Sequence, residues 1–258
     1  MKVTPGAAST ALEDSAKLFR NAKRVVILSG AGISTPSGIP DFRSEGTGLW
    51  SSDEAMKVAS LETFRTHPEI FFDWFRPLAR QIFNAQPNPA HKALSELEQE
   101  GRKITVVTQN IDGLHQKAGS RHVIEMHGTL TTLSCTGCFK KFEAGGYLIS
   151  FVEHGTIPLC TNCNGILKPD VILFGEQLPQ NAWSESQRAV RQCDLMVVAG
   201  SSLEVLPVAG LPVQAVDRGA HLIVINNTPT YIDERADVVI MDDVAAALPT
   251  IAKRANHG

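Results

Sequence analysis

The chain has 258 residues, of which 43% are hydrophobic and 20% are charged, and its formal net charge is -3. This length suits one large α/β domain, alone or with an insertion, and the apolar content is enough to bury a substantial core. The negative charge argues against a protein that binds nucleic acid by electrostatic attraction. The sequence has no apolar run long enough to cross a bilayer and no signal-peptide pattern at its start. We therefore expect a cytoplasmic protein with no membrane partner.

The predicted elements begin with a helix, in which Thr10 and Glu13 resemble an N-terminal capping box. A second helix is predicted to begin at Asn88 and Pro89 and to end at Gly101. Continuous apolar runs predict buried strands at residues 25–28, 104–108, 122–126, 195–199, 222–226 and 238–241. Strands that alternate with helices in this way predict an α/β fold, a doubly wound parallel sheet of the Rossmann type.

Two stretches interrupt that alternation. Residues 36–87 hold a loop rich in Pro and Gly and then a segment rich in Phe, whereas residues 129–175 hold four paired cysteines. We predict that residues 1–35, 88–128 and 176–258 form the Rossmann-type domain. The first stretch then supplies a cofactor loop and a helical module, and the second supplies a four-cysteine module; together they form a smaller domain. Ligand sites favour the interface between such domains.

A glycine-rich turn, Gly30 to Ser34, comes directly after the first strand. Between a strand and a helix, such a turn brings backbone N–H groups close to a pyrophosphate, which the helix dipole also favours. The pattern is an incomplete G-x-G-x-x-G because position 35 is Thr35, so an ordinary tight turn is an alternative. The ring of Phe42 and the cation of Arg43, further along, suit a loop that closes over a cofactor.

Polar side chains come after the next strands of the predicted sheet. Gln109, Asn110 and Asp112 stand directly after the second strand, where Asn110 and Asp112 are able to bind a carboxamide. An Asx turn is the alternative for this loop. His127 also ends a strand and is a candidate general base near neutral pH, whereas we interpret His115 as structural. In the carboxyl half, Gly200-Ser201-Ser202 and Asn226-Asn227 come after two further strands and supply more edges of one nucleotide-sized cleft.

Four of the five cysteines form two C-x-x-C pairs, Cys135 with Cys138 and Cys160 with Cys163. Their separation is close to that of four-cysteine zinc sites, and paired thiolates fit a reducing compartment better than a disulfide framework does. A site closed by four thiolates leaves no position for water, so we predict a structural zinc. A redox pair is the weaker alternative, and we expect Cys193 to serve only in packing.

In chain order, the motifs GAGIS, GIPDFR, TQNID-x-LH, HG, the two cysteine pairs, FGE, GSS and VINN resemble those of the sirtuin family of NAD-dependent protein deacylases, in particular its bacterial and archaeal deacetylases. The resemblance covers roughly residues 10–250. It implies a Rossmann-type large domain and a small domain made of a zinc module and a helical module. It also implies NAD as co-substrate, one structural zinc per chain and acetylated proteins as partners.

The implied reaction transfers the acetyl group of acetyl-lysine to ADP-ribose and releases nicotinamide and O-acetyl-ADP-ribose. Its catalytic residues would be His127, as general base on the ribose hydroxyls, and Asn110, which would organise the ribose and a water. Ile39 would line the nicotinamide pocket. The implied cofactor-binding residues are Gly30, Ala31, Gly32, Ser34, Thr35, Asp41, Phe42, Arg43, Gln109, Asn110, Ile111, Asp112, Gly200, Ser201, Ser202, Asn226 and Val244.

The acyl-lysine is implied to enter an apolar tunnel while its peptide binds as an added strand, a mode that reads backbone more than side chains. The implied substrate-binding residues are Ile172, Phe174, Gly175, Glu176, Leu203 and Val205. Sirtuins that remove succinyl or malonyl groups carry a Tyr-x-x-Arg pair in the helical module, but both tyrosines of this chain, Tyr147 and Tyr231, lie outside it. We therefore expect a preference for neutral acyl groups, acetyl first.

Two other functions stay open from the sequence. Mono-ADP-ribosyl transfer or plain NAD hydrolysis would use the same site. A zinc-ribbon module that binds nucleic acid belongs to another class of protein, and the net charge of -3 opposes it.

Overall fold

The computed structural model describes residues 5–41 and 53–257, with side chains described for residues 9–41 and 55–256. Strands and helices are numbered here along the chain. The strands are β1 Val25–Ser29, β2 Ile104–Thr108, β3 Val123–Glu125, β4 Gly128–Cys135, β5 Lys141–Glu143, β6 Leu167–Val171, β7 Leu195–Ala199, β8 His221–Ile225 and β9 Val238–Ile240. The α-helices are α1 Pro5–Asn21, α2 Asp53–Val58, α3 Leu61–Thr66, α4 Pro68–Asn84, α5 Pro89–Gln99, α6 Leu114–Ala118, α7 Gly145–His154, α8 Gln180–Gln192, α9 Leu211–Val216 and α10 Val244–His257.

Six parallel strands form the larger sheet in the order β3-β2-β1-β7-β8-β9. Relative to the strands of this sheet alone, the order is 3-2-1-4-5-6, that of the doubly wound Rossmann fold. The predicted fold class is therefore confirmed. All six predicted strands are present, although β3 is one residue shorter at each end than expected and β8 begins and ends one residue earlier. The strand order reverses between β1 and β7, and ligands of such sheets bind outside the carboxyl ends of the strands at that point.

Both faces of the larger sheet are covered, which explains why its strands read as unbroken apolar runs. On one face of the sheet, Val25 and Ile27 of β1 pack in a cluster with residues of α1, α5 and α10. On the other face, Val26 and Leu28 belong to a cluster with residues of α8 and α9. All five residues of β1 are buried. At roughly 1.5–3 kcal/mol for each fully buried aliphatic side chain, this layer is a main source of stability.

The predicted ends of helix α5 agree with the structure, whereas the predicted start of helix α1 does not. The Asn88 side chain accepts the N–H of Ala90 at the start of α5, and Gly101, with φ +93°, ends the helix by donating to the carbonyl of Glu98. Both predicted limits are confirmed. The predicted capping box at Thr10 is wrong, because α1 already begins at Pro5 and Thr10 lies inside it.

The remaining elements form a second body beside the sheet. Strands β5-β4-β6 make a small antiparallel sheet, and helices α2 to α4 lie next to it. The small sheet, helix α7 and helices α3 and α4 share one core. In it, the ring of Phe72 on α4 meets that of Phe151 on α7 edge to face, with ring centroids 5.3 Å apart. Arg76 and Arg80 of α4 both donate to the carbonyl of Val152 at the end of α7. The exact division of the chain at residues 36, 88, 129 and 176 stays a prediction.

No helix in the described part of the chain is long and apolar enough to span a membrane.

Candidate functional site

The turn after β1 is packed backbone against backbone on the turn after β7, at the point where the strand order reverses. The N–H of Gly32 donates to the carbonyl of Gly200 over 2.9 Å, and Gly30 donates to Ala199 over 3.2 Å. A Cβ at Gly200 would lie 2.3 Å from the nitrogen of Ile33, and Gly200 also has φ +63°. Only glycine fits this approach, which explains why glycines stand in both loops.

The turn after β1 does not lead into an α-helix as expected. Two single 3₁₀ turns, Ala31–Ile33 and Thr35–Ser37, stand in the place of that helix. The argument from a helix dipole therefore does not apply here. Within the described residues, the N–H groups of Gly30 and Gly32 are already paired, and the N–H of Ala31 has no backbone acceptor. Ala31 is thus the donor that this turn offers to an anion.

The loop after β2 forms a hydrogen-bonded network with the same turn. Asn110 Nδ2 donates to the carbonyl of Gly30 over 3.0 Å and to Ser34 Oγ over 3.1 Å, and Ser34 Oγ donates to Asp112 Oδ2 over 2.7 Å. The other oxygen of Asp112 accepts the N–H of Leu114 and so caps α6, as the Asx-turn alternative would have it. Ser34 is the shared partner that fixes both Asn110 and Asp112.

Asn110 also carries an unused acceptor. Its Oδ1 is buried and has no hydrogen-bond partner among the described residues. Buried carbonyl oxygens are rarely left unpaired, because each costs about 1–3 kcal/mol. A ligand that donates a hydroxyl or amide proton at this point would satisfy it, which fits the ribose or carboxamide of a dinucleotide.

Gln109 connects three strand ends. Its Nε2 donates to Ser201 Oγ over 2.9 Å in the loop after β7, and its backbone carbonyl lies 2.8 Å from His127 Nδ1. Because a carbonyl only accepts, His127 carries its proton on Nδ1 and leaves Nε2 with a free lone pair. This is the tautomer that a general base needs.

Burial lowers the pKa of His127 below its ordinary value of 6.5, although the Gln109 carbonyl opposes part of the shift. The imidazole is therefore neutral at neutral pH. Its location, between β3 and β4 and half-buried, leaves it able to accept a proton from a bound substrate.

A pair of buried histidines lies behind this polar network. His115 Nε2 donates to Ser29 Oγ over 2.9 Å, and Ser29 donates in turn to Thr108 Oγ1. The ring of His91 on α5 meets that of His115 with centroids 4.8 Å apart. Burial lowers the pKa of His91 to about 4, which Asp112 opposes only in part, and burial also holds the pKa of His115 well below 6.5.

His115 is therefore in a structural position, as expected, but the sequence interpretation missed His91 and Ser29. The indication available for His91 was its spacing on α5, where it falls among Ala90, Ala93 and Leu94 on the face turned to the core.

The other residues of the implied cofactor set lie around the same edge or outside the described residues. Ser201 and Asn226 are buried at the ends of β7 and β8, and Ser202 is exposed. Val244 packs its side chain into the core at the start of α10. Thr35 donates to the carbonyl of Gly32, and Ile111 packs against the shared core of the smaller body. Ile39 is buried and Asp41 half-buried; Phe42 and Arg43 lie outside the described residues.

The implied substrate residues lie in two loops, one of which is bonded to His127. The N–H of Ile172 donates to the carbonyl of His127 over 2.8 Å, which places the 172–176 segment beside the candidate base. Phe174 is 44% exposed, a high value for a large aromatic side chain. Leu203 is buried with φ +57°, and Val205 is half-buried.

The four cysteines of the two C-x-x-C pairs come together as a candidate metal site. Their sulfurs lie within 4.8 Å of one another, with Cys135 and Cys163 3.4 Å apart and Cys138 and Cys160 3.7 Å apart. A tetrahedral Zn–S₄ site has sulfur–sulfur edges of about 3.8 Å, so the four residues fit zinc.

The backbone around these cysteines favours thiolates. The N–H groups of Cys138 and Gly137 both donate to the sulfur of Cys135. These bonds, the one from Cys138 first, lower the pKa of Cys135 to about 6. Cys135 ends β4 and the other three cysteines lie in loops, not at the start of a helix, so the arrangement does not resemble a redox pair.

Similarity to known proteins covers nearly the whole chain. A family model described as the Sir2 family matches residues 30–207. The NAD-dependent protein deacylase of Pseudomonas putida is 38% identical over 93% of both chains. The NAD-dependent protein deacetylase 2 of Caldanaerobacter subterraneus is 44% identical over 92% of this chain and 93% of its own. A solved structure of Sir2 with a p53 peptide and NAD⁺ superposes with a TM-score of 0.86 at 37% identity, covering 96% of this chain and 99% of that one.

Proposed function

This chain belongs to the Sir2 family, and from that membership and the geometry of the site we propose that it is an NAD-dependent protein lysine deacetylase. The reaction transfers the acetyl group of acetyl-lysine to ADP-ribose and releases nicotinamide and O-acetyl-ADP-ribose. The single observation that carries the proposal is His127. Its Nδ1 is fixed by the carbonyl of Gln109, the residue that precedes Asn110, so its Nε2 keeps the lone pair that a base needs.

We propose these roles for the residues around the substrate NAD. The unused Oδ1 of Asn110 accepts a proton from the ribose or nicotinamide, and Ser34 keeps that side chain and Asp112 in position. The N–H of Ala31 and the loop Gly200-Ser201-Ser202 face the phosphates, with Asn226 further along the edge. Phe42 and Arg43 supply the loop that closes over the cofactor, as the family resemblance implies.

His127 then acts as general base. The acetyl oxygen of the lysine attacks C1′ of the nicotinamide ribose, and nicotinamide leaves with the electron pair of the broken C–N bond. His127 Nε2 accepts a proton from a ribose hydroxyl, and that hydroxyl oxygen attacks the acyl carbon. The C–N bond to the lysine then breaks, and the amine leaves with the proton that His127 had accepted. Water adds to the acyl carbon, and cleavage of the bond between that carbon and the oxygen on C1′ leaves the acetyl group as an ester on the ribose. A positioned base of this kind is typically worth about 10²–10⁴ in rate.

The four-cysteine cluster has a structural role in this proposal. Four thiolates leave no open coordination position, so a bound zinc would contribute to folding and not to the chemistry. The small sheet β5-β4-β6 buries few residues of its own, and apparent zinc affinities of about 10–16 kcal/mol would dominate its local stability. Thiolate ligands persist in a reducing compartment, which supports the cytoplasmic location expected from the sequence.

We also infer that the preferred acyl group is neutral. Helix α4 carries Phe71, Phe72 and Phe75, all buried, and has no tyrosine. A Tyr-x-x-Arg pair would place its hydroxyl and its cation three residues apart on this helix. Phe75 and Leu78 have that spacing, but both are apolar and buried, so they offer neither group to an acyl carboxylate. An acetyl group leaves no charge to be paired there, whereas a succinyl group would bury an uncompensated carboxylate.

Mono-ADP-ribosyl transfer or NAD hydrolysis is the second candidate, because each would use the same cofactor site. The backbone bond between the candidate base His127 and Ile172, in the loop that leads to Phe174, favours acyl transfer, since neither alternative requires a base next to a peptide-binding loop.

The experiment that tests the proposed function monitors an acetyl-lysine peptide by liquid chromatography, with and without NAD, beside a succinyl-lysine peptide of the same sequence. We expect the deacetylated product only when NAD is present, and at least tenfold less product from the succinyl peptide. Transfer of labelled ADP-ribose to protein, with the peptide unchanged, would support the second candidate instead.

A further inference from the structure

A tight turn at residues 173–176 comes after the last strand of the four-cysteine module. The N–H of Glu176 donates to the carbonyl of Leu173 over 3.0 Å, and Gly175 has φ +87°, as the third position of a type II turn requires. The Glu176 carboxylate then accepts the N–H of Leu173 over 2.8 Å. The two ends of the turn are therefore bonded to each other twice, once through backbone and once through this side chain.

Lys168, on β6, holds that carboxylate in place. Its Nζ lies 3.0 Å from Glu176 Oε2 and 2.7 Å from the carbonyl oxygen of Val171. The side chains of Lys168 and Glu176 are only 15% and 21% exposed. Both groups are partly withdrawn from water, so removing one partner would leave the other poorly compensated, and the pair is confined to one geometry.

Backbone hydrogen bonds anchor the same segment on two other sides. Ile172 donates to the carbonyl of His127, next to the candidate base. Phe174 donates to the carbonyl of Ala59 over 3.0 Å and accepts the N–H of Leu61 over 2.9 Å, which joins it to the helical module. The Lys168–Glu176 pair supplies the third anchor, from the small sheet.

The described residues leave one side of the turn open. A Cβ placed on Gly175 would meet none of their atoms within 4 Å, and the neighbouring Phe174 is nearly half exposed. The carboxylate of Glu176 is used within the turn, so the part of the turn that is left for an incoming peptide is the backbone at Gly175.

We propose that Lys168 is a positioning residue that acts through Glu176 to hold the turn at 173–176 in the orientation that receives the acetyl-lysine peptide. The inference rests on the proposed deacetylase function. Since the pair contacts β6 and the turn, and not the Gly30–Ser34 loop or Asn110, its loss affects the affinity for the peptide and leaves that for NAD unchanged.

The test measures steady-state kinetics with an acetyl-lysine peptide and NAD for the wild type and for Lys168→Met, Lys168→Arg and Glu176→Gln. Lys168→Met and Glu176→Gln are expected to raise the KM for peptide by on the order of tenfold, equivalent to about 1.4 kcal/mol. The KM for NAD and the bound zinc stay at wild-type values, and Lys168→Arg retains most of the affinity for peptide. Lys141→Met is the matched control, because Lys141 pairs with Asp170 in the same module but is 70% exposed and does not contact the turn.

The double variant Lys168→Met/Glu176→Met distinguishes a loss of the turn's orientation from a general loss of stability. Two apolar side chains replace the ion pair without leaving a charge unpaired, so thermal stability is expected to exceed that of Lys168→Met. The KM for peptide stays raised, because Leu173 has lost its acceptor. A parallel rise in the KM for NAD and for peptide in Lys168→Met would overturn the inference, as would a wild-type KM for peptide. Absence of NAD-dependent turnover in the wild type would overturn the proposed function as well.

Discussion

His127 and Gln109 are joined by a 2.8 Å hydrogen bond between the imidazole Nδ1 and the backbone carbonyl oxygen. The bond spans the ends of two neighbouring strands, β2 and β3, and it fixes the imidazole with its proton away from the substrate side. The side chain of Gln109 reaches the other way, to Ser201 after β7. One residue therefore aligns the candidate base with the loop that we assign to the cofactor.

Replacing His127 with Ala should lower turnover of an acetyl-lysine peptide by about 10²–10⁴-fold, because the proton acceptor for the ribose hydroxyl is lost. His122→Ala is the matched control, since His122 is exposed and lies on the same segment. Bound zinc and the circular dichroism spectrum should be unchanged in both variants. Turnover of His127→Ala close to that of the control would remove His127 from the mechanism.

The pH dependence of kcat/KM should report the pKa of His127. Because burial lowers that pKa below 6.5, the neutral base persists into mildly acidic solution. Activity is therefore expected to be constant around neutrality and to fall only as the pH drops below about 6.5. The measurement is kcat/KM for acetyl-peptide between acidic and neutral pH. An acidic limb centred above the ordinary histidine value would contradict the assignment.

Replacing Cys135 with Ala should release zinc and unfold the small sheet, because a three-thiolate site loses much of the binding energy that stabilises this module. Zinc content by elemental analysis and the thermal midpoint are the two measurements. Cys193→Ala is the control: its sulfur donates to the carbonyl of Val190 and lies outside the cluster. If Cys135→Ala melts like the control, the structural role is wrong.

Substitutions at Gly200 and Gly219 distinguish the cost of backbone strain from the cost of a steric clash. Both have positive φ, +63° and +88°. A Cβ on Gly200 would lie 2.3 Å from the nitrogen of Ile33, whereas a Cβ on Gly219 would meet no atom of the described residues within 4 Å. Gly219→Ala is expected to cost about 1–2 kcal/mol of unfolding free energy, and Gly200→Ala at least about 3 kcal/mol. Urea unfolding measures both. Equal losses would show that the two loops are not packed as described.

His91 should make the protein less stable in acid. Its pKa is lowered to about 4 in the folded state from an ordinary value of 6.5. Between these values the unfolded chain binds the proton and the folded chain does not, so the free energy of unfolding falls as the pH drops from 6.5 towards 4. At pH 5 this one residue accounts for about 2 kcal/mol.

The comparison is His91→Leu against His122→Leu, with urea unfolding at pH 7 and pH 5. His91→Leu should lose less stability between the two pH values than the wild type, by about 2 kcal/mol. The exposed control should lose as much as the wild type. His115 is buried with a lowered pKa as well, so some acid sensitivity remains in both variants.

Much of this arrangement can be predicted from local sequence. The run Val25 to Leu28 is apolar at every position because β1 is covered on both faces, and parallel strands place Asn110 and His127 at one edge of the sheet. The C-x-x-C spacing was enough to predict which four sulfurs meet, because each pair spans a single tight turn.

Other features depend on contacts between residues far apart in the chain. Gly32 donates to Gly200, and this bond uses an N–H that the glycine motif alone would have assigned to a phosphate. His91 meets His115 only because α5 packs against α6. The periodicity of a single helix shows that His91 faces inward, but it does not identify the residue that His91 meets.

The most direct test of the central claim is mass spectrometry of an acetyl-lysine peptide incubated with the protein and NAD. The account predicts one nicotinamide and one O-acetyl-ADP-ribose for each lysine freed, and no change in the peptide when NAD is left out. Nicotinamide release while the peptide keeps its acetyl group would contradict the account.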